Sequence, residues 1–295
     1  MNLKISVVIT TKDRLSYLKR AVSSINIGSD IPLDIVIVND GGGFIDTNDV
    51  SSPSHVTIIN NKESLGGNKA RNQGVLASEG DIIFFLDDDD AYTPATISEK
   101  LNIFLQYPNV GLVYTGVKFV TSDALDVIKR EKKPSDKNAS FLNLLKYGNI
   151  IGPTSSVAVR KSKFFEAGMF DEDLSAMQDY ELWIRMARCS EVMHDNGMNL
   201  IYTIHATGEQ ISSKHEKYLC AAEYISNKFS KDIEALNAHH HFWSEVYFRV
   251  ALSASHSSEF KKIRYASKSF LLRPSIKSLA LLLPTFVLRK IKPFV

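Results

Sequence analysis

The stretch Gly80–Asp90, GDIIFFLDDDD, joins an unbroken apolar run to four consecutive aspartates. Ile82–Leu86 shows no polar alternation, which predicts a strand buried on both faces, as in a parallel sheet covered by helices. The four carboxylates repel one another, and solvation alone does not require them directly behind a buried strand. Carboxylate oxygens are the preferred ligands of hard divalent cations, so the run reads as metal-binding. The alternative is a solvated loop in which Asp89 or Asp90 caps the next helix.

Outward from this stretch, other apolar runs also end in polar clusters. Ile5–Thr10 leads into Thr11-Lys12-Asp13-Arg14, and Ile35–Val38 into Asn39-Asp40-Gly41-Gly42-Gly43. Val56–Ile59, Val110–Tyr114, Ser155–Val159 and Leu200–Ile204 are further strand candidates. Between them fall helical patterns at Arg14–Ile25, with Leu18, Val22 and Ile25 at i, i+4 and i+7, and at Asn68–Ala77. Pro94 opens the next helix, and Asp179–Arg188 is helical through Leu182, Trp183, Met186 and Ala187. This alternation predicts an α/β fold, a Rossmann-like and mostly parallel sheet flanked by helices. Ser122–Asn138 is polar and lysine-rich and reads as a mobile loop or insertion. From Glu216 onward the pattern is helical only, so the expected division is 1–215 for the α/β domain and 216–295 for a helical extension.

The 295 residues are 44% hydrophobic and 23% charged, ordinary for a globular chain and against long disorder. The net charge of +2 conceals a segregation. Residues 258–295 hold nine Lys/Arg and one acid, a net +8, leaving residues 1–257 at −6. The beginning, Met1-Asn2-Leu3-Lys4, has no signal-peptide pattern. The longest apolar run, Leu279–Leu283, is stopped by Pro284, short of a bilayer span. Cys189 and Cys220 have no metal or redox spacing and read as two reduced core thiols. The expected location is therefore cytoplasmic.

In open parallel sheets, ligands gather at the carboxyl ends of the strands. Asn39 and Asp40 could hold a base or ribose by side-chain hydrogen bonds, with the glycines leaving room for approach, or they could form a plain Asx/glycine turn. Arg71, on the first turns of its helix, reads either as part of an anion site or as a surface arginine. Asp179 opens a helix, where an acid is also a favoured cap.

Taken together, Ile5–Arg14 (ISVVITTKDR), Ile35–Gly41 (IVIVNDG), Gly66–Gly74 (GGNKARNQG), Gly80–Asp90 and Phe170–Arg185 (FDEDLSAMQDYELWIR) resemble the family 2 glycosyltransferases over about residues 4–215. The resemblance implies a GT-A fold that binds a nucleoside-diphosphate sugar, with UDP the commonest nucleotide, and usually Mn²⁺ or Mg²⁺. It places Thr10, Asp40 and Arg71 at the nucleoside, with Thr11, Arg14 and Asn39 beside them. Asp87 and Asp89 match the acidic motif that meets ribose and metal, with Asp88 close by, and His205 lies where relatives often place a group near the diphosphate. Asp179 matches the general base, implying an inverting single displacement by a saccharide or lipid-linked acceptor, in cell-surface polysaccharide or glycolipid synthesis. Two positions depart from the family pattern: Asn39 stands where many relatives have Asp, and Gln178 where many have Glu.

Two rival readings remain at the sequence level. A nucleotidyltransferase would want a basic, glycine-rich triphosphate loop after the first strand, which Thr10–Arg14 matches poorly. A catalytically inactive scaffold would not need Asp87, Asp89 and Asp179. The tail, Lys/Arg interleaved with Phe270–Leu272, Leu279–Leu283 and Phe286–Leu288, suits the surface of an anionic membrane, such as the inner face of the cell membrane. It could instead pack on the acidic body or form a dimer contact. No nucleic-acid motif accompanies it. His239-His240-His241 lacks partner ligands at metal spacing and reads as a polar helix face, and Phe242, Trp243, Tyr247 and Phe248 as core.

Overall fold

A computed structural model describes residues 3–25, 33–205, 215–255 and 257–288. The chain divides into two compact units. The first comprises residues 1–140, 150–173 and 178–206, and the second residues 141–149, 174–177 and 207–295. The sequence pattern marks a change only after residue 215, because the two short earlier segments carry no compositional signal of their own.

In the first unit, β1 (Ile5–Thr11), β2 (Leu33–Asn39), β3 (His55–Asn60) and β4 (Ile82–Asp87) alternate with α1 (Leu15–Ser23) and α2 (Gly67–Ala77). After β5 (Ala91–Tyr92) and α3 (Thr96–Gln106) come β6 (Val110–Tyr114), β7 (Val117–Thr121) and β8 (Arg130–Lys132). In the second unit, α4 (Phe141–Tyr147) follows; the first then resumes with β9 (Val157–Arg160), α5 (Lys161–Glu166), α6 (Gln178–Cys189), β10 (Glu191–His194) and β11 (Leu200–Ile204). The main sheet has seven strands in the order β10-β6-β9-β4-β1-β2-β3. All its pairings are parallel except those of β9, which runs antiparallel to both neighbours. A second sheet has the order β5-β11-β7-β8.

The apolar runs explain the layers. Ile82–Leu86 is completely buried, as a central strand with both faces covered must be. Helix α1 turns Leu18, Ala21 and Val22 inward at helical spacing. Helix α2 has little apolar surface and approaches the sheet through Gly74, where a Cβ would stand 2.4 Å from Val8 Cγ1. That close fit is why a glycine occupies a helix interior, at a cost in propensity.

Several local expectations shift. Pro94 lies ahead of the helix rather than in its first turn, since Ala95 is the N-cap of α3. The lysine-rich stretch 122–138 contains β8, which pairs antiparallel with β7, so tertiary pairing overrides its poor strand composition. Strand β10 escapes the sequence pattern. Cys189 is half-buried and Cys220 exposed; both are free, but Cys220 is not a core thiol.

The second unit carries α7 (His215–Lys228), α8 (Ser230–Ala235), α9 (His239–Ala254), α10 (Glu259–Leu272), α11 (Ile276–Ala280) and α12 (Thr285–Leu288). Ala251, Ala266, Leu281 and Leu288 form one buried cluster in it, with Phe248 and Tyr265 packed against them. Phe242 is buried, while Trp243, Tyr247 and Phe248 are half-buried. Among the described residues no helix is long and apolar enough to cross a membrane.

Candidate active site

Strand register brings the polar strand ends together. In the parallel ladder Thr10 is paired with Asp87 and with Val38, Thr11 with Asn39, and Asn39 with Asn60. The carboxyl ends of β4, β1, β2 and β3 therefore lie in a row, the edge at which such sheets bind ligands.

The aspartate run is not a solvated loop. Asp88 and Asp90 are fully buried, and the cap of the next helix is made without an aspartate. Arg14 holds Asp88, with 2.6 Å from one guanidinium nitrogen to Oδ1 and 3.2 Å from Nε to Oδ2, and Thr11 Oγ1 donates to the same Oδ2 at 2.7 Å. Arg14 also reaches Asp89 Oδ2 at 2.8 Å. Arg71 donates to Asp87 Oδ1 at 2.6 Å and lies over the ring of Phe170. Arg71 is therefore a mostly buried partner of the aspartate run and not a surface arginine. Much of the repulsion that the sequence assigned to a metal is met by these two arginines.

Burial pushes the Asp88 carboxyl up to about 6, against the opposing pull of Arg14 and Thr11. Burial, reinforced by the charges of Asp89 and Asp87, raises Asp90 well above the carboxylate range. Asp90 Oδ1 accepts the Thr203 N–H at 3.0 Å and so ties the run to β11. Arg20 and the Thr203 hydroxyl both donate to the Asp89 carbonyl, fixing the backbone between the two sheets.

His205, just beyond β11, places Nε2 at 2.8 Å from Asp89 Oδ2. Asp89 and His205 thus converge, while Asp87 is engaged by Arg71. Among the described residues no group of three or more His, Cys, Asp or Glu side chains is placed to hold a metal alone. Mg²⁺-like cations commonly take one or two protein carboxylates and complete their shell with substrate phosphate and water. The Asp89–His205 pair fits that partial role.

At the end of β2, Asp40 receives four hydrogen bonds: Asn61 Nδ2 and Leu65 N to Oδ1, and Ser64 Oγ and Gly66 N to Oδ2. Burial acts to raise its pKa, but these donors hold it below the usual value. All its lone-pair sites are occupied from within. Asp40 therefore organises the loop that leads into α2. Gly41 (φ +80°) serves the same loop, since a Cβ there would lie 2.3 Å from Ser64 N. The room expected for a ligand at this glycine is filled by the chain itself.

Asn39 differs. Its Nδ2 donates to the Gly43 carbonyl and to Asn60 Oδ1, which fixes the amide orientation. Its Oδ1 is buried and has no hydrogen-bond partner. A buried acceptor left open costs free energy unless a ligand or water completes it.

Asp179 is the second residue of α6, and its Oδ1 accepts the N–H of Tyr180 at 2.7 Å. Met177, two residues earlier, has φ +55°, a left-handed conformation that non-glycine residues seldom adopt and that recurs at functional sites. Tyr202 on β11, not singled out by sequence, links these groups. Burial raises its phenol above the tyrosine range, helped by the charges of Asp90, Asp87, Asp89 and Asp179. One side chain thus lies within the field of both the aspartate run and Asp179. Ser155 was also missed: its Oγ accepts the Asp87 N–H at 3.0 Å. Neither residue belongs to a motif, and only the fold brings them in.

A mostly parallel sheet of this kind, with acidic and cationic groups along its carboxyl edge, is that of an α/β protein with its ligand-binding edge at the strand ends. Residues 6–168 match the profile of glycosyl transferase family 2, and the chain belongs to that family. An uncharacterized glycosyltransferase of Haemophilus influenzae is 23% identical over 78% of this chain and 78% of its own length. The uncharacterized glycosyltransferase YwdF of Bacillus subtilis is 28% identical over 74% of this chain and 82% of its own. Among solved structures, residues 1–349 of Staphylococcus aureus TarS in complex with UDP-GlcNAc superpose with a TM-score of 0.64 at 14% identity, covering 95% of this chain and 84% of that one. The mannosyltransferase PcManGT of Pyrobaculum calidifontis, in complex with GDP-Man and Mn²⁺, gives 0.59 at 16% identity, covering 100% and 82%. These likenesses support the same GT-A architecture.

Proposed function

We propose that this protein is an inverting glycosyltransferase that moves a sugar from a nucleoside-diphosphate sugar to a hydroxyl of a saccharide or lipid-linked acceptor, in cell-surface polysaccharide or glycolipid synthesis. The observation that carries the reading is the row of strand ends that joins Asn39, Arg71 and Asp87–Asp89 to His205.

Asn39 Oδ1 accepts an N–H from the base, a requirement that the N3–H of uracil meets, and Thr10 serves the nucleoside from β1. Asp87, oriented by Arg71, faces the ribose, with Arg14 and Thr11 holding Asp88 rigid beneath. Asp89 and His205 would hold Mn²⁺ or Mg²⁺, which when bound supplies positive charge for the departing diphosphate. Asp179 takes the proton from the acceptor hydroxyl as it attacks opposite the leaving group, which inverts the anomeric configuration. A peripheral position at the inner face of a membrane would bring this site to a lipid-linked acceptor.

Calorimetric titration with UDP, GDP, CDP and dTDP, each with and without Mn²⁺, tests the reading. Tight, metal-dependent binding of one nucleotide supports it, with UDP expected. A folded protein that binds none of the four would overturn it in favour of a scaffold.

A further inference from the structure

The usual division of a surface helix is reversed in α10. Its buried side is Lys262, Ala266 and Ser269, at i, i+4 and i+7, while Phe260, Ile263 and Leu271 point outward. The polar groups inside are satisfied. The Lys262 ammonium is held by Glu259 Oε1 at 2.6 Å, the Leu283 carbonyl at 2.5 Å and Thr285 Oγ1 at 3.1 Å. Ser269 and Ser244 bond to each other's carbonyls and tie α10 to α9.

The apolar side chains outside have no such account. Phe260, Leu271, Ile276 and Phe286 are 76%, 80%, 80% and 69% exposed. Seven of the exposed large hydrophobics fall between residues 260 and 286, so this is a concentration and not the scatter found on any surface. Arg264, Lys268 and Lys277, from the same stretch of sequence, are exposed as well. Glu259, the one acid between residues 258 and 295, is tied to Lys262 and Thr285.

The charge decides the occupant. A second copy of the chain meeting this surface across a two-fold axis would set like cations against each other. A nucleic acid would pair with the cations but leave the phenylalanine and leucine side chains in water. An anionic bilayer satisfies both, since apolar side chains enter the headgroup boundary while Lys and Arg stay with the lipid charge. We infer that the outward side of α10–α12 is a peripheral docking surface for an anionic lipid membrane. The inference stands apart from the glycosyl-transfer reading, because its test reads vesicle binding and not turnover.

The test uses the full chain with vesicles of phosphatidylcholine alone and of phosphatidylcholine with roughly one third phosphatidylglycerol, at low and high salt. Binding to the anionic vesicles, weakened by salt, is expected. One variant carries Phe260→Ser, Leu271→Ser, Ile276→Ser and Phe286→Ser. A second carries Arg264→Gln, Lys268→Gln and Lys277→Gln, for which partition falls roughly a hundredfold, at about fivefold per cation. Both variants change exposed side chains only and keep the thermal transition and nucleotide binding of the parent. A full chain that stays in solution with both vesicle types overturns the inference. So does undiminished binding by both variants. Sedimentation showing a parent dimer that the serine variant converts to monomer overturns it too, in favour of a second copy.

Discussion

Asp89 and His205 share a contact of 2.8 Å, from carboxylate Oδ2 to imidazole Nε2, across 116 residues of chain. The contact joins the end of β4 in the main sheet to the end of β11 in the second sheet. Arg14 reaches the same Oδ2 at 2.8 Å, so one carboxylate oxygen carries both contacts.

Replacing Asp89 with Ala removes the hard oxygen donor while Asp87 keeps its arginine. The variant is expected to lose the Mn²⁺-dependent part of nucleotide binding, and His205→Ala to weaken it by a smaller factor. Titration calorimetry with and without metal reads both. Metal dependence that survives Asp89→Ala would remove this pair from the metal site.

Asp179→Asn keeps the size and the acceptor oxygen used by Tyr180 N–H but cannot take a proton. Turnover should fall by about 10²–10⁴, with nucleotide affinity unchanged. Nucleoside-diphosphate release measures the first and calorimetry the second. Parallel loss of both would make Asp179 a structural residue.

Asn72 donates at 3.0 Å to the exposed Glu172, and at the buried Phe170 backbone it receives the N–H and donates to the carbonyl, each at 3.0 Å. Truncation in Asn72→Ala leaves these groups unpaired and is expected to cost about 2–4 kcal/mol. Urea denaturation gives the value. A loss below about 0.5 kcal/mol, the range of ordinary surface changes, would contradict this account.

Lys100 of α3 is completely buried, its ammonium without a hydrogen-bond partner and resting over the rings of Phe84 and Tyr92. Burial lowers its pKa to about 8, against the pull of Asp195 and Glu99. The folded state thus gives up this proton more readily than the unfolded chain. Its charge-burial cost is fully present below pH 8 and is relieved as pH rises toward the unfolded value of 10.5. Lys100→Met should therefore be more stable than the parent at pH 7, by on the order of 3 kcal/mol at most. The margin should shrink between pH 8 and 10.5. Thermal melts across that range check the sign, and a margin that grows with pH would refute it.

Most strands were legible because a central parallel strand must be apolar throughout and end abruptly where the chain leaves the sheet. Ile5–Thr11, Leu33–Asn39 and Ile82–Asp87 all follow that rule. Strands β8 and β10 were not legible, since their partners, and not their composition, make them strands. Asn68 and Asn72 lie in a stretch that carries the family resemblance, and both donate to the backbone at Phe170 and Asp171. Asp40 matched the nucleoside motif, and its carboxylate proves to be saturated by its own loop. A motif records which residues sit together in sequence, and it is silent on which of their lone pairs the protein has already used.

From sequence alone came the α/β class, the family resemblance, the aspartate run behind a buried strand and the basic, apolar character of the tail. These depend on hydrophobic periodicity and local charge, which neighbouring residues carry by themselves. Only tertiary structure decided that Arg14 and Arg71 answer the aspartates, that His205 contacts Asp89, that Ser155 bonds the backbone of Asp87, that Tyr202 lies in the field of the aspartate run, and that residues 141–149 group with the helical unit. It also decided that α10 turns its polar side inward. Each of these rests on register, burial and pairing between residues far apart in the chain, and such free energies come into being only when the strands and helices have packed.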